Sequence, residues 1–432
     1  MHLIWENVVK NLMHLWAGTY KDLDQGSEEY QMHGPIWEEV GKASADSGST
    51  IPFVFGPRPP NVASDKISWT ADTRSFWFQY IAPVLLRGRF LHDKYYDHFI
   101  ELVHLIMVCL QFEITEAEID ELRQGFIHWV KTYEDIYYQH DPSRLSACPL
   151  TIHALLHIAD SILETGPVWT AWAFPMERYC GALQPAIRSR RFPYSSLNRY
   201  VLDRARLTHL KVIYGLYDTL SLQPSHKDTS TSIPGYDTFV LMPQRSPLTL
   251  NRTLMDKILS CLTLRFTATP NEVRAALPRT VEQWAKLRIL PEGDTIRAAD
   301  LQNPGEDTRD ATYVRYELLV DKNARYRNRP AIMEPRTFYG QLLHILVIDV
   351  KPIPTAVPPK TTDTKLVLGV IRTCVTDGDH NVLDIHYYKN HGRVEVVEIT
   401  TIQCVVGRVK DRGRFAIIDR SGALARPEFV HD

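Results

Sequence analysis

Residues 365–375, KLVLGVIRTCV, decide the fold class. This run holds Leu366, Val367, Leu368, Val370, Ile371 and Val375, and the turn-forming Asp377-Gly378-Asp379 follows it. A short segment crowded with β-branched and aliphatic side chains and closed by a turn signal predicts a strand. The same texture returns at residues 342–350, 382–389, 394–409 and 414–419. Pro358-Pro359, Asn390-His391-Gly392 and Asp411-Arg412-Gly413 supply the other turn signals. Short strands at this spacing predict a small antiparallel barrel over residues 336–432.

Upstream of that region the hydrophobic period becomes helical. Ile4, Val8, Leu12 and Leu15 share one face, with Val9 and Trp16 widening it, so a helix begins almost at residue 1. Nothing precedes it to pack against, and a bare apolar face is expected. Residues 44–65 carry Pro52, Pro57, Pro59 and Pro60 and read as a loop. Helices are predicted over 71–86, 93–110, 116–138, 150–164, 175–188 and 197–220. Thr115 with Glu118 gives a capping box, Gly166-Pro167 a stop, and Pro175 a first-turn proline. Residues 221–247, with Pro224, Pro234, Pro243 and Pro247 among serines, read as a linker. Helix is expected again over 250–290, within a mixed helical connector spanning 248–335. All tryptophans lie at or before Trp284, which sets the last segment apart. The chain is therefore α+β: a mainly helical region over 1–220, then linker, connector and a β-rich barrel domain.

Charge and cysteine usage narrow the function classes. Lys plus Arg (49) nearly cancels Asp plus Glu (51), so bulk charge argues for no nucleic-acid partner; only a local basic patch would. The six cysteines include no Cys-x-x-Cys pair, which excludes a zinc ribbon and a dense disulfide scaffold and suits a reducing compartment. No secretory signal is visible, and the longest apolar stretch, residues 102–110, is broken by His104 and far shorter than a membrane span. The expectation is a nuclear or cytoplasmic protein, not secreted, with no membrane partner.

A basic patch does exist. Residues 188–211 read RSRRFPYSSLNRYVLDRARLTHLK: Arg188, Arg190, Arg191, Arg199, Arg204, Arg206 and Lys211 stand against Asp203 alone, with Phe192, Tyr194 and Tyr200 interleaved. Guanidinium groups beside rings suit phosphate contact and base stacking; the plainer reading is a solvated helix face balanced by the acidic stretch 113–121. His153 and His157 share a helical face at zinc-site spacing, yet Ala154 stands where a metalloprotease has its glutamate and no third ligand is near, so a partly buried histidine pair is the simpler account. Glu177, in WTAWAFPMERY (169–179), is either an acid in the first turn of a helix or a carboxylate in an aromatic pocket that holds Mg²⁺ or moves a proton. Phe338, Tyr339, Tyr387, Tyr388 and Phe415 are candidates for a groove or an aromatic cage around a peptide cation. Gly-x-Ser-x-Gly, P-loop and Gly-x-Gly-x-x-Gly motifs are absent.

Three blocks carry a family resemblance. Met1-His2-Leu3 with Glu6-Asn7-Val8-Val9-Lys10-Asn11-Leu12 and Leu15-Trp16 resembles the Asp-x-Met-His…Asn-Val block of CACTA (En/Spm-type) transposases of the fungal variety. Gly166-Pro167-Val168 to Trp172, then Phe174-Pro175-Met176-Glu177-Arg178-Tyr179, resembles the Gly-Pro…Trp…Pro-Phe-Glu-Arg-Tyr block of the uncharacterised domain that follows in those proteins. Tyr339-Gly340 through Ile345, and Thr401 through Gly422, look like the β-rich tail of the fungal members.

The resemblance implies an RNase H-like enzyme that cuts and joins DNA with three carboxylates and two Mg²⁺ ions. His2 matches the histidine of the first block, and Glu177 stands as the third acid and metal ligand, with Arg178 beside it. The family's preceding aspartates have no counterpart in this chain. The expectation is thus an incomplete, catalytically inactive transposase remnant without its own Mg²⁺, keeping DNA contact through residues 188–211. The alternative is a chromatin- or protein-binding module built on the C-terminal barrel, with the helices as scaffold.

Overall fold

The apolar stripe at the start of the chain is covered by the chain itself. Ile4–Val8 form a π-helical turn that runs into helix α1 (Val9–Trp16). Trp5, Val8, Val9, Leu12, Leu15 and Trp16 are all buried, so the expected bare face is absent. Trp16 meets Phe90 and Phe99 edge-on at 5.7 and 5.5 Å, and its indole N–H donates to the Tyr137 hydroxyl at 3.0 Å. The covering side chains come from later helices, which a local period does not reveal.

The structure, a computed structural model, describes residues 2–420 except 22, 24–27, 65–68, 218, 221–229, 292, 302–307, 327, 355, 357–361 and 381–382. Met1, residues 221–229 of the expected linker, the Pro358-Pro359 turn and Ser421-Gly422 lie outside the described residues. The helical region continues with α2 (Gly34–Ser47), α3 (Ala71–Phe76), α4 (Ala82–Leu85), α5 (Asp93–Cys109), α6 (Glu116–Tyr133), α7 (Leu150–Ala154), α8 (Ile158–Thr165), α9 (Phe174–Leu183) and α10 (Pro193–Tyr214). The Thr115–Glu118 capping box opens α6 as expected. Helix α2 takes residues 44–47 out of the expected loop. Its buried face is Trp37, Val40, Gly41, Ser44 and Ser47, too small and polar to register as an apolar stripe. Ser44 is satisfied there: its hydroxyl donates to the Val40 carbonyl at 2.8 Å and accepts the Trp77 indole N–H at 2.9 Å.

From residue 231 onward the chain builds an antiparallel sheet. Its strands are β1 (Thr231–Ile233), β2 (Tyr236–Thr249), β3 (Thr280–Ile289), β4 (Thr295–Arg297), β5 (Tyr313–Asp321), β6 (Met333–Val350), β7 (Thr364–His380), β8 (Ile385–Glu398), β9 (Ile402–Val405), β10 (Gly407–Asp411) and β11 (Arg414–Ile418). Helices α11 (Arg252–Phe266) and α12 (Pro270–Ala276) lie between β2 and β3. The strand order is β1-β2-β3-β6-β7-β8-β11-β10, with β4 on β3 and β5 between β6 and β9.

Three sequence expectations change here. The second half of the expected linker is strand. The helix expected over 250–290 stops at Ala276, ahead of Pro278, and β3 buries alternate positions Val281, Gln283, Ala285 and Leu287. The strands of the last region are long rather than short: β6 has 18 residues, β7 17 and β8 14. The Asp377-Gly378-Asp379 and Asn390-His391-Gly392 signals fall inside β7 and β8, where register shifts absorb them as bulges. Asp411-Arg412-Gly413 does turn the chain, with Gly413 at φ +80°.

Helices and sheet share one hydrophobic core and a polar seam. Along the seam the Arg408 amide N–H donates to the Thr50 carbonyl at 3.0 Å, and the Asp310 amide N–H donates to the Ser49 carbonyl at 2.9 Å. Arg89, after α4, reaches Asp411 of β10 at 2.8 Å, both side chains buried. Arg412 donates to the Arg87 carbonyl at 2.6 Å and Arg420 to the Val54 carbonyl at 2.9 Å. Gly407 lets β10 come this close: a Cβ there would sit 3.1 Å from the Phe55 ring.

Two expectations follow from this packing. Asp411→Asn removes the buried carboxylate on Arg89, leaving only the exposed Glu39 at 3.0 Å as its countercharge, and should cost about 2 kcal/mol or more in urea unfolding; a change below about 1 kcal/mol would mean the pair is solvated. His98 is a second lever. It stacks on Trp129 at 4.5 Å, its Nε2–H donates to the Trp129 carbonyl at 3.1 Å, and the Trp129 indole returns a bond to the His98 carbonyl at 2.9 Å. Burial pushes its imidazole down to about 4, with the Trp129 carbonyl opposing. The unfolded chain, titrating at about 6.5, binds the extra proton first. Stability should therefore fall by up to about 3 kcal/mol as pH drops from about 6.5 to about 4. A urea midpoint whose slope over this range is the same in His98→Gln would refute the assignment.

Candidate nucleic-acid interface and the His2–Glu177 pair

Helix α9 begins where the sequence places it, with Pro175 in its first turn and Glu177 two residues on. The Glu177 amide closes a helical bond to the Ala173 carbonyl at 2.9 Å, which fixes its place in the first turn. That carboxylate, 44% exposed, lies 3.8 Å from Nε2 of His2, while Nδ1 of His2 meets Glu6 at 2.8 Å. The two site residues of the first and second blocks, far apart in the chain, thus stand together at the surface. The first-turn placement that would make Glu177 a dipole-compensating acid is also present.

Mg²⁺ demands an octahedral shell of oxygens. Glu177 offers one carboxylate with an imidazole between it and Glu6, and among the described residues no three metal-ligating side chains converge. These residues do not fit a paired-magnesium centre. His153 and His157 approach at 3.2 Å between Nε2 atoms on an exposed helix face; one ring donates to the other.

The basic segment lies on α10 and the turn before it. Arg188, Arg190, Arg191, Arg199, Arg204 and Arg206 are exposed and Lys211 half-buried. Asp203 is shared by Arg199 at 3.9 Å and Arg206 at 3.7 Å. Arg188, Arg190 and Arg191 have no ion pair among the described residues. Two of the five acids in the stretch 113–121 are engaged elsewhere, Glu118 in the Thr115 cap and Asp120 with Arg123. The interleaved rings are open too, with Tyr194 79% and Phe192 61% exposed. The Arg191 guanidinium sits 5.4 Å from the Phe192 ring and that of Arg204 6.0 Å from Tyr200. Neither α9 nor α10 contributes a buried residue, although Leu202, Leu210, Val212 and Ile213 face solvent. At 1.5 Å per residue α10 is roughly 33 Å long, close to one turn of duplex DNA.

The aromatic cage expected on the β-rich region is not open. Tyr387 and Tyr388 are buried at 1% exposure, Tyr339 is buried, and Phe338 stacks on Tyr316 at 5.7 Å. The cation over these rings is the protein's own. Arg408 lies 3.5 Å from the Tyr313 ring centre and 5.0 Å from Phe415, and it donates to the Tyr388 hydroxyl at 3.0 Å and to Asp310. Sequence reading missed Arg408 because the acid that neutralises it, Asp310, and the ring it lies over, Tyr313, are about a hundred residues away in the chain.

The His2–Glu177 pair is a surface contact and should matter little to folding. Glu177→Gln is expected to change unfolding free energy by less than about 0.5 kcal/mol; a loss above about 2 kcal/mol in urea denaturation would show a structural role instead. No protein-family model, curated protein or solved structure gives a significant match to this chain.

Proposed function

We propose that this chain is transposase-derived, of the CACTA type, and contacts DNA through the arm formed by α9, α10 and the arginines between them. The observation that carries this reading is the approach of His2 to Glu177 at 3.8 Å. Each belongs to a different block of the resemblance, and their approach supports reading the two blocks as parts of one site. The RNase H-like origin of the helical region and a barrel-like closure of the coiled sheet belong to the same proposal, as does a nuclear location. No helix among the described residues is long and apolar enough to cross a membrane.

The physical basis for DNA contact is a row of unneutralised guanidinium groups beside exposed rings. Phosphate contact releases counterions, and ring faces stack on bases regardless of sequence. Strand cleavage is not part of the proposed role of this chain alone, since one carboxylate beside an imidazole cannot hold paired metal ions. The test is a gel-shift titration with a labelled duplex at several salt concentrations. Changing Arg188, Arg190 and Arg191 together to Ala should weaken binding at least about tenfold and reduce the salt slope by about 2 to 3. Unchanged affinity and slope would remove the arm from the interface.

A further inference from the structure

The long strands of the sheet do not stay paired along their whole length. β6 pairs with β5 from Met333 to Gln341, but β7 joins its other side only from Gly340 onward. Beyond Thr373, β7 turns away to pair with β8 alone, from Cys374 opposite His391 to His380 opposite Ile385. Residues 333–339 of β6 therefore present a backbone edge with no strand partner among the described residues. The bulges in β7 and β8 bend the two arms apart, and the sheet forks.

A cavity of about 340 Å³ opens at this fork, between the sheet and the helical region. Tyr80 lines it from the helices; Thr337 and Tyr339 come from β6, Asp384 and His386 from the start of β8, and Asp419 from the end of β11. Arg315 is also in the wall, but its charge is met by Glu317 at 3.2 Å and Asp419 at 3.5 Å. Tyr339 donates its hydroxyl to Asp419 at 3.1 Å and packs against His386 at 5.2 Å. Burial, aided by Asp419, holds that phenol neutral by raising it far above its usual range. Asp384 stands at the mouth, its side chain 88% exposed, with His386 3.5 Å away. Carboxylates thus outnumber guanidinium groups in the described wall, and the two tyrosines that line it are largely buried.

We infer that the fork binds an extended basic segment of a partner protein, whose lysine or arginine side chain enters the cavity while its backbone lies along the open edge of β6. Each part of the site has a matching demand. An unpaired strand edge takes a peptide by main-chain hydrogen bonds, and the pocket beside it selects the side chain. A cation is favoured by the exposed carboxylate of Asp384, and by the acidic excess of Asp384, Asp419 and Glu317 over the one guanidinium of Arg315. An anionic side chain would meet Asp384 at the entrance and find the guanidinium of Arg315 already neutralised. This surface is acidic and the α10 arm is basic, so the two inferences concern different ligands and fail independently.

The test uses the full chain and fluorescence anisotropy of a labelled nine-residue peptide alternating lysine with threonine, at physiological salt. The same peptide with glutamate in place of lysine is the control. Asp384→Asn, an exposed change, should weaken binding of the lysine peptide at least about fivefold. Thr337→Trp, also at an exposed position, should abolish binding by filling the cavity; thermal melting checks that both variants fold. The Arg188, Arg190, Arg191 triple alanine variant should bind the peptide as the parent does. No binding of the lysine peptide, equal binding of the glutamate peptide, or parental affinity in Asp384→Asn would each overturn the inference.

Discussion

A buried guanidinium holds the two layers of this protein in register. Arg408 lies in β10 among Tyr313, Tyr388 and Phe415, where an ion costs several kcal/mol to bury unless it is neutralised and hydrogen-bonded. Its countercharge is Asp310, which is itself fixed by accepting from the Thr312 amide and hydroxyl. The backbone of Asp310 is tied to Ser49 and that of Arg408 to Thr50. One cation thus gathers the exit of α2, the approach to β5 and the edge strand β10. Arg89 and Asp411 repeat the device a few residues on. With these contacts in place, β10 is an edge covered by the helical layer rather than an open template for aggregation.

That seam divides the molecule into parts that pack and parts that project. Helices α1 through α8 and the sheet bury tryptophans and tyrosines deeply, with Trp16, Trp77, Trp129, Tyr133 and Tyr137 all below 2% exposure. Helices α9 and α10 contribute no buried residue, yet α10 and the turn before it carry the densest positive charge. An element that the core does not need can be shaped by its ligand alone, and its low packing leaves it the freedom that binding surfaces use. Glu177 marks the junction between the two regimes, near enough to the core to meet His2 and outside it enough to remain solvated.

The sheet answers a different constraint. Strands of 14 to 18 residues cannot remain flat over a twisted surface, so β7 and β8 bulge where Gly378 and Gly392 fall. Those residues read as turns in the sequence because turns and bulges ask for the same backbone freedom. The fork between β6 and β7 is the geometric result, and the cavity at its base follows from the bend.

The amino-acid sequence alone determined the helix-then-strand order, the α6 cap, the place of Pro175 in the first turn of α9, the turn at Gly413 and the exposed arginine cluster, because each rests on residues within a few positions of one another. It placed residues 44–47 of α2 in a loop, read β3 as helix and made β6 to β8 too short, since the burial of Ser44 and Trp284 and the pairing around Gly392 depend on residues outside any local window. The meeting of His2 with Glu177, the covering of the first helix and the capture of the aromatic rings by Arg408 were decided only by the tertiary structure. His2 and Glu177, Trp16 and Phe99, and Arg408 and Tyr313 are each more than sixty positions apart, and what brings such residues together is the shared exclusion of water from one core, which no local period records.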